Sequence, residues 1–225
     1  TVRPEYRNTS YTIRYSANTT YNKKFNSRNF VNTGVYIDFY NTSFIDSLDD
    51  KGLGFVTLRN YSGQTNLTRL FIQWKHHFGE KFSMNTGLSY QYLMLNHSQS
   101  PEPRLGFKYE FNKKQSLSFE AGMNSQVQPL YVYFATADLG GGVTKETNRN
   151  LDFTRAAHAV IAYDVNLFNN MRIKTELYYQ YLYSVPVRVR KDYFSTVNLG
   201  ADFNSPNLDS LVNDGTAENY GIELT

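Results

Sequence analysis

Few residues in this chain have the types and spacing that chemistry requires. Glu110 and Glu120 fall on the polar parity of neighbouring alternating runs, where paired carboxylates would sit for acid–base work. Their surroundings, Lys108, Ser118 and Gln126, instead describe a solvated wall. His76 and His77 are adjacent in an alternating run, so their rings point to opposite faces and do not share an ion. His97 and His158 have no second ligand at a useful spacing. Asp46, Asp49 and Asp50 are calcium-type ligands, but the ordered spacing and distal Glu of a calcium loop are missing, and a solvated loop is expected. Gly140-Gly141-Gly142 does not lead from a strand into a helix, so it reads as an external loop and not as a phosphate cradle. Asp164 faces Arg172 or Lys174, with Glu176 beyond, as a cross-strand charge ladder. The residue types therefore predict no enzyme, no cofactor and no metal.

The element that positions the ladder is a hairpin from Thr154 to Val185, turning at Asn169-Asn170. Ala157, Ala159, Ile161, Tyr163 and Val165 share one parity, and His158, Asp164 and Asn166 the other. The return run sets Ile173, Leu177, Tyr179 and Tyr181 against Arg172, Lys174, Glu176 and Gln180. This is period two sustained for longer than a soluble strand usually holds it. The same pattern recurs along the chain. Tyr11, Ile13 and Tyr15 alternate with Arg14, Val35, Ile37 and Phe39 with Asp38, and Leu88 and Tyr90 with Gln91. Leu105, Phe107 and Tyr109 alternate with Lys108 and Glu110, and Leu117 and Phe119 with Glu120.

The composition must be reconciled with these runs. Aromatic residues make up 16% of the chain, yet the mean hydropathy is −0.53. A β-sandwich with an inward apolar face and a membrane barrel with an outward one both give such an average. No apolar run reaches the roughly 18–20 residues of a spanning helix, so a membrane crossing would have to be made by a closed barrel. The net charge of +3 comes without a basic cluster interleaved with stacking aromatics, which argues against nucleic acid as a partner. With no Cys, neither disulfides nor thiolate metal sites are available.

The connections choose between sandwich and barrel. They are expected to be short near residues 27, 80, 113 and 169, and long at 45–66, 96–104, 128–153 and 186–216. In an up-and-down meander this alternation puts the tight turns at one end and the long loops at the other, the asymmetry of outer-membrane barrels. A Greek-key sandwich gives no reason for it. Phe78, Phe82, Phe111, Tyr179 and Tyr181 lie at run ends, as an interfacial aromatic girdle would. The final run, Tyr220 to Leu224, is cut short at the end of the chain, which is expected of a piece of a larger barrel.

The phrases Gln128-Pro129-Leu130-Tyr131-Val132-Tyr133-Phe134, Tyr178-Tyr179-Gln180-Tyr181-Leu182 with Val185-Pro186-Val187, Asn198-Leu199-Gly200, Asn213-Asp214-Gly215 and Asn219-Tyr220-Gly221-Ile222-Glu223-Leu224 carry a family likeness. Together they resemble the barrel of TonB-dependent outer-membrane receptors of the Bacteroidetes type. The resemblance implies an all-β fold: about nine strands from the C-terminal part of a transmembrane antiparallel up-and-down β-barrel of about 22 strands. Residues 1–225 would be a partial barrel domain, without its plug and terminal strand. It also implies a transporter that imports a scarce nutrient with inner-membrane energy. The partners would be the lipid bilayer, the protein's own plug, the TonB energy-coupling complex and a surface lipoprotein. The alternative is a non-transporting barrel serving as adhesin or surface scaffold. A soluble β-sandwich binding domain is the third reading. On the barrel reading, Arg14, Asp38, Gln91, Lys108, Glu110, Glu120, Asp164, Arg172, Lys174, Glu176 and Gln180 are expected to face the lumen or plug.

Overall fold

The computed structural model describes residues 5–49, 54–138, 143–168, 171–190, 192, 194–198, 208 and 210–225. The Asn169-Asn170 turn, the triple glycine 140–142, Asp50, Gly52, Leu199 and Gly200 lie outside them. Among the described residues eleven strands form in chain order: β1 Tyr6–Lys24, β2 Asn29–Asp49, β3 Phe55–His77, β4 Phe82–Leu93, β5 Ser98–Asn112, β6 Gln115–Gln126, β7 Thr136–Asp138, β8 Thr144–Glu146, β9 Thr154–Phe168, β10 Met171–Arg188 and β11 Leu211–Leu224. Nine make one antiparallel sheet ordered β1-β2-β3-β4-β5-β6-β9-β10-β11, each strand beside its successor. The small β7–β8 hairpin and the single-turn helix α1, Leu130–Tyr133, belong to the excursion between β6 and β9. The sheet is open, with β1 and β11 as its edges. Among the described residues no helix is long and apolar enough to cross a membrane.

Register puts the alternating residues on two unlike faces. On one, Tyr15 lies opposite Phe39, Val35 opposite Leu70, Ile72 opposite Leu88, and Leu177 opposite both Ile161 and Ile222. Apart from the half-buried Val35 these side chains stay exposed, Ile72 at 51% and Leu177 at 48%, and form a continuous apolar band too large for the surface of a soluble monomer. On β2 the band runs from Val31 to Phe39, close to the roughly 9–11 residues of a tilted spanning strand. Near the tight turns it meets a row of rings. Phe78 and Phe82 lie 5.2 Å apart, and Phe82 and Phe107 5.8 Å.

The other face is polar and concave. Gln91 on β4 donates to the backbone carbonyl of Ser125 on β6 at 3.0 Å, reaching across β5, which a flat sheet would not permit. Gly34 lets this face pack closely. A Cβ there would lie 2.6 Å from the Phe71 ring and 2.7 Å from the Thr19 carbonyl oxygen of the neighbouring strand. Gly34→Val is accordingly expected to destabilise the barrel by about 1–3 kcal/mol through overpacking. Heat-modifiable gel migration of the full-length protein checks this, and unchanged migration would count against it.

Asn side chains close the tight turns in the way Asx turns require. The Asn26 Oδ1 accepts from the N–H groups of Arg28 and Asn29, both at 2.9 Å, and the Asn112 Oδ1 from that of Lys114 at 2.8 Å. At the opposite end the expected loops need correction. Residues 45–66 are mostly ladder, since β2 and β3 stay paired out to Asp49 opposite Phe55. Residues 98–103 are also strand, with Pro101 opposite Tyr90, and the connection before them is a tight turn at 94–97 with His97 at φ 60°. Pro is tolerated there because the β5–β6 ladder ends at Arg104, which leaves no partner for an N–H at Pro101 or Pro103. Two connections at this end are therefore short, and the strict short–long alternation does not hold. The excursions 127–153 and 189–210 remain long.

Candidate functional site

The polar face carries a charge network through the middle of the sheet. Asp38 on β2 is buried and accepts from Arg14 on β1 at 3.0 Å, Ser16 at 2.6 Å and Arg69 on β3 at 2.7 Å. Two strands on, the Glu102 carboxylate accepts from Gln91 at 2.6 Å, and from the Ser125 N–H and hydroxyl at 2.7 and 2.6 Å. Glu102 thus takes over the role of the ladder beyond the point where it ends. Arg104 bridges Glu102 at 3.3 Å and Asn124 at 2.7 Å. These groups line a cavity of about 820 Å³ running from β1 to β6.

Above it, at the end away from the tight turns, the excursion 127–153 folds against the concave face. Tyr133, Phe134 and Phe153 are fully buried there with Leu67, Leu93 and Leu151. Phe134 stacks on Tyr61 of β3 with centroids 3.5 Å apart, and Phe44 lies 6.0 Å away. The polar groups are satisfied as well. Thr136 donates to the carbonyl of Leu58 at 2.8 Å, and Asn96 to that of Leu151 at 2.7 Å. Asn148 donates to the carbonyls of Val132 and Leu208 and accepts from the Leu211 N–H at 2.9 Å. Residues 127–136 and 147–153 are therefore a packed inner layer and not a loose loop.

Burial pushes the Tyr133 hydroxyl well above the ordinary phenol range, against the opposing pull of the Gln128 N–H that donates to it. The raised value favours the neutral phenol in the folded state. Its contribution is intact below the unfolded phenol value of about 10 and is lost as pH rises above it. Proteolytic cleavage within 127–153 is expected to increase above about pH 10, less so in Tyr133→Phe. Equal alkaline sensitivity in the two would show that another group is responsible.

The expected site residues fall into separate groups. Arg14, Asp38 and Gln91 line the large cavity. Lys108 pairs with Glu110 at 2.9 Å on the same strand. Glu120 lies opposite Gly106, so it stands about 13 Å along the strands from Glu110, and the two form no carboxylate pair. Arg172 grips Asp164 through both carboxylate oxygens at 2.9 Å, Lys174 turns to Glu176 at 2.8 Å, and Gln180 accepts from Asn219 at 3.1 Å. The expected ladder is thus two ion pairs. Asp46, read as part of a solvated loop, is buried and ion-paired to Arg59. Among the described residues no three His, Asp or Glu side chains gather as a metal-ligand set.

Arg69, Glu102 and Arg104 were not expected at the site. Arg69 has the right parity, four residues before Gln73, but the run read from Leu70 starts just after it. Glu102 and Arg104 are hidden by the prolines that flank Glu102, which read as a loop.

These features define the wall of an antiparallel up-and-down β-barrel, and solved outer-membrane barrels bear the likeness out. The FrpB iron transporter from Neisseria meningitidis (F3-3 variant) matches with a TM-score of 0.64 at 14% identity, over 96% of this chain and 33% of its own. A mutant of the ferric enterobactin receptor PfeA from Pseudomonas aeruginosa matches with a TM-score of 0.70 at 11% identity, again over 96% and 33%. The RagAB peptide transporter matches with a TM-score of 0.60 at 13% identity, over 97% and 27%. The chain spans about a third or less of the length of each of these proteins. No protein-family model and no curated protein matches the sequence.

Proposed function

We propose that the chain is the C-terminal part of the barrel of a TonB-dependent outer-membrane transporter, which binds a scarce nutrient outside and admits it with inner-membrane energy. The carrying observation is the two-sidedness of the sheet. An exposed apolar band faces one way, and a concave wall of ion pairs with buried carboxylates, capped by an inward-folded segment, faces the other. A lipid-facing wall around a plugged lumen accounts for both. On this reading Arg14, Asp38, Gln91, Lys108, Glu110, Glu120, Asp164, Arg172, Lys174, Glu176 and Gln180 are lumen wall that holds the plug or lines the path. The partners are the bilayer, the plug and the TonB complex, and the protein does no covalent chemistry.

Deletion of the full-length gene, followed by growth on limiting iron chelates, vitamins, glycans and peptides, tests the reading. Loss of growth on one nutrient class, restored by complementation, is expected. Unchanged uptake of every nutrient would leave the adhesin or scaffold reading in its place.

A further inference from the structure

A second cavity of about 390 Å³ lies against the same concave face, under the inward helix α1. Its lining is mostly apolar and aromatic, with Tyr40, Phe44, Leu67, Leu93, Leu130 and Tyr131 beside the polar Thr12, Gln126 and Gln128. Comparison with the large cavity shows how the two are placed. Tyr40 stands two residues beyond Asp38 on β2, Leu67 two before Arg69 on β3, and Leu93 two beyond Gln91 on β4. On antiparallel strands these offsets all point toward the same end of the sheet. Residues two apart share a face about 7 Å from each other. The cavities are therefore stacked along the strands, the apolar one above and the charged one below.

The lower cavity is cationic despite its mixed lining. Its carboxylates sit in the wall, Asp38 with 3% and Glu102 with 5% of the side chain exposed. The guanidiniums in front of them remain open, at 54% for Arg14, 40% for Arg69 and 45% for Arg104. A group entering the cavity meets donors first, and the acceptors behind them are already engaged.

We propose that the two cavities act together as one binding site for an amphipathic anion, with an aromatic or apolar group above and a carboxylate below. This rests on the lumen reading of the concave face. Ring faces and Leu side chains suit the upper group. Charge-assisted donation from guanidinium suits the lower one.

The test is calorimetric titration of the full-length protein in nanodiscs with 4-phenylbutyrate, 4-phenylbutyramide and butyrate. Phenylbutyrate carries a ring and a carboxylate separated by three methylenes, close to the spacing of the two cavities. The neutral amide is expected to bind about tenfold more weakly, having lost the charge-assisted bonds. Butyrate is expected to bind about thirtyfold more weakly, having lost the ring. Arg104→Gln, in which Glu102 keeps its Gln91 and Ser125 partners, should weaken phenylbutyrate about tenfold and leave the amide unchanged. Equal binding of acid and amide would overturn the cationic half, and equal binding of phenylbutyrate and butyrate the apolar half. No binding of any of the three would overturn the whole. Should the variant fail to fold, the ligand series on the unsubstituted protein still decides. Binding is read without uptake, so a protein that binds phenylbutyrate but imports nothing would refute the transporter reading and leave this one standing.

Discussion

Phe134→Ala is expected to undock the segment 127–153 while leaving the sheet folded. The ring is fully buried, stacks on Tyr61 at 3.5 Å and packs beside Phe44, so truncation removes the centre of the layer that covers the upper concave face. Phe→Ala in a close-packed core costs about 3–5 kcal/mol, transfer and cavity together. The segment has few other apolar anchors, chiefly Tyr133, Leu151 and Phe153, so a loss of that size is a large share of what holds it. The sheet does not depend on it, because every long strand is laddered to a neighbour. The readout is hydrogen exchange. Amides of residues 130–136 should lose protection, whereas β4 and β9 keep theirs and heat-modifiable migration is unchanged. Retained protection at 130–136 would mean that the hydrogen bonds of Asn148, Thr136 and Asn96 hold the segment without the ring. Global loss of folding would mean that the layer is part of the barrel's own core.

The fold was legible where one physical rule governs the sequence, and obscured where the rule reverses. From Val31 to Phe39 the outward residues of β2 are apolar apart from Thr33, and the inward ones are polar or small apart from Tyr36, so period two declares both strand and face. Beyond Phe39 the strand continues, but its outward residues become Asn41 and Ser43 and those of β3 become Asn60, Ser62 and Gln64. The inward ones become Tyr40, Phe44 and Tyr61, packed on the inner layer. A strand that leaves lipid for water on the outside and gains a packed layer on the inside inverts its pattern, and the inversion reads as irregularity. The same applies to Pro101 and Pro103, normally turn markers, which here sit where the ladder has ended. Arg14, Asp38 and Gln91 were within reach of parity. Arg69, Glu102 and Arg104 complete the site only through the register between strands, which depends on contacts far apart in the chain.

Asp46→Ala is expected to open the outer half of the β2–β3 hairpin. Asp46 faces Arg59 across the hairpin and holds it through both oxygens, with Nε contacts at 2.9 and 3.0 Å. It also accepts from the Tyr6 hydroxyl at 2.7 Å, which ties in β1. Its side chain is 0% exposed and that of Arg59 10%, so solvent screens the pair little. Removing the carboxylate strands a buried guanidinium beside the Tyr131 ring, 5.3 Å away, with no counter-charge. Breaking a buried pair from one side costs about 3–5 kcal/mol, more than the pair contributes when both partners are replaced by apolar groups. The double variant Asp46→Leu with Arg59→Leu should therefore recover much of the loss. Hydrogen exchange over residues 41–48 and 55–63 distinguishes the outcomes. Strong deprotection in the single variant and recovery in the double one is the expected pattern. A double variant as open as the single would show that the hairpin depends on the charges themselves and not on avoiding one left unpaired.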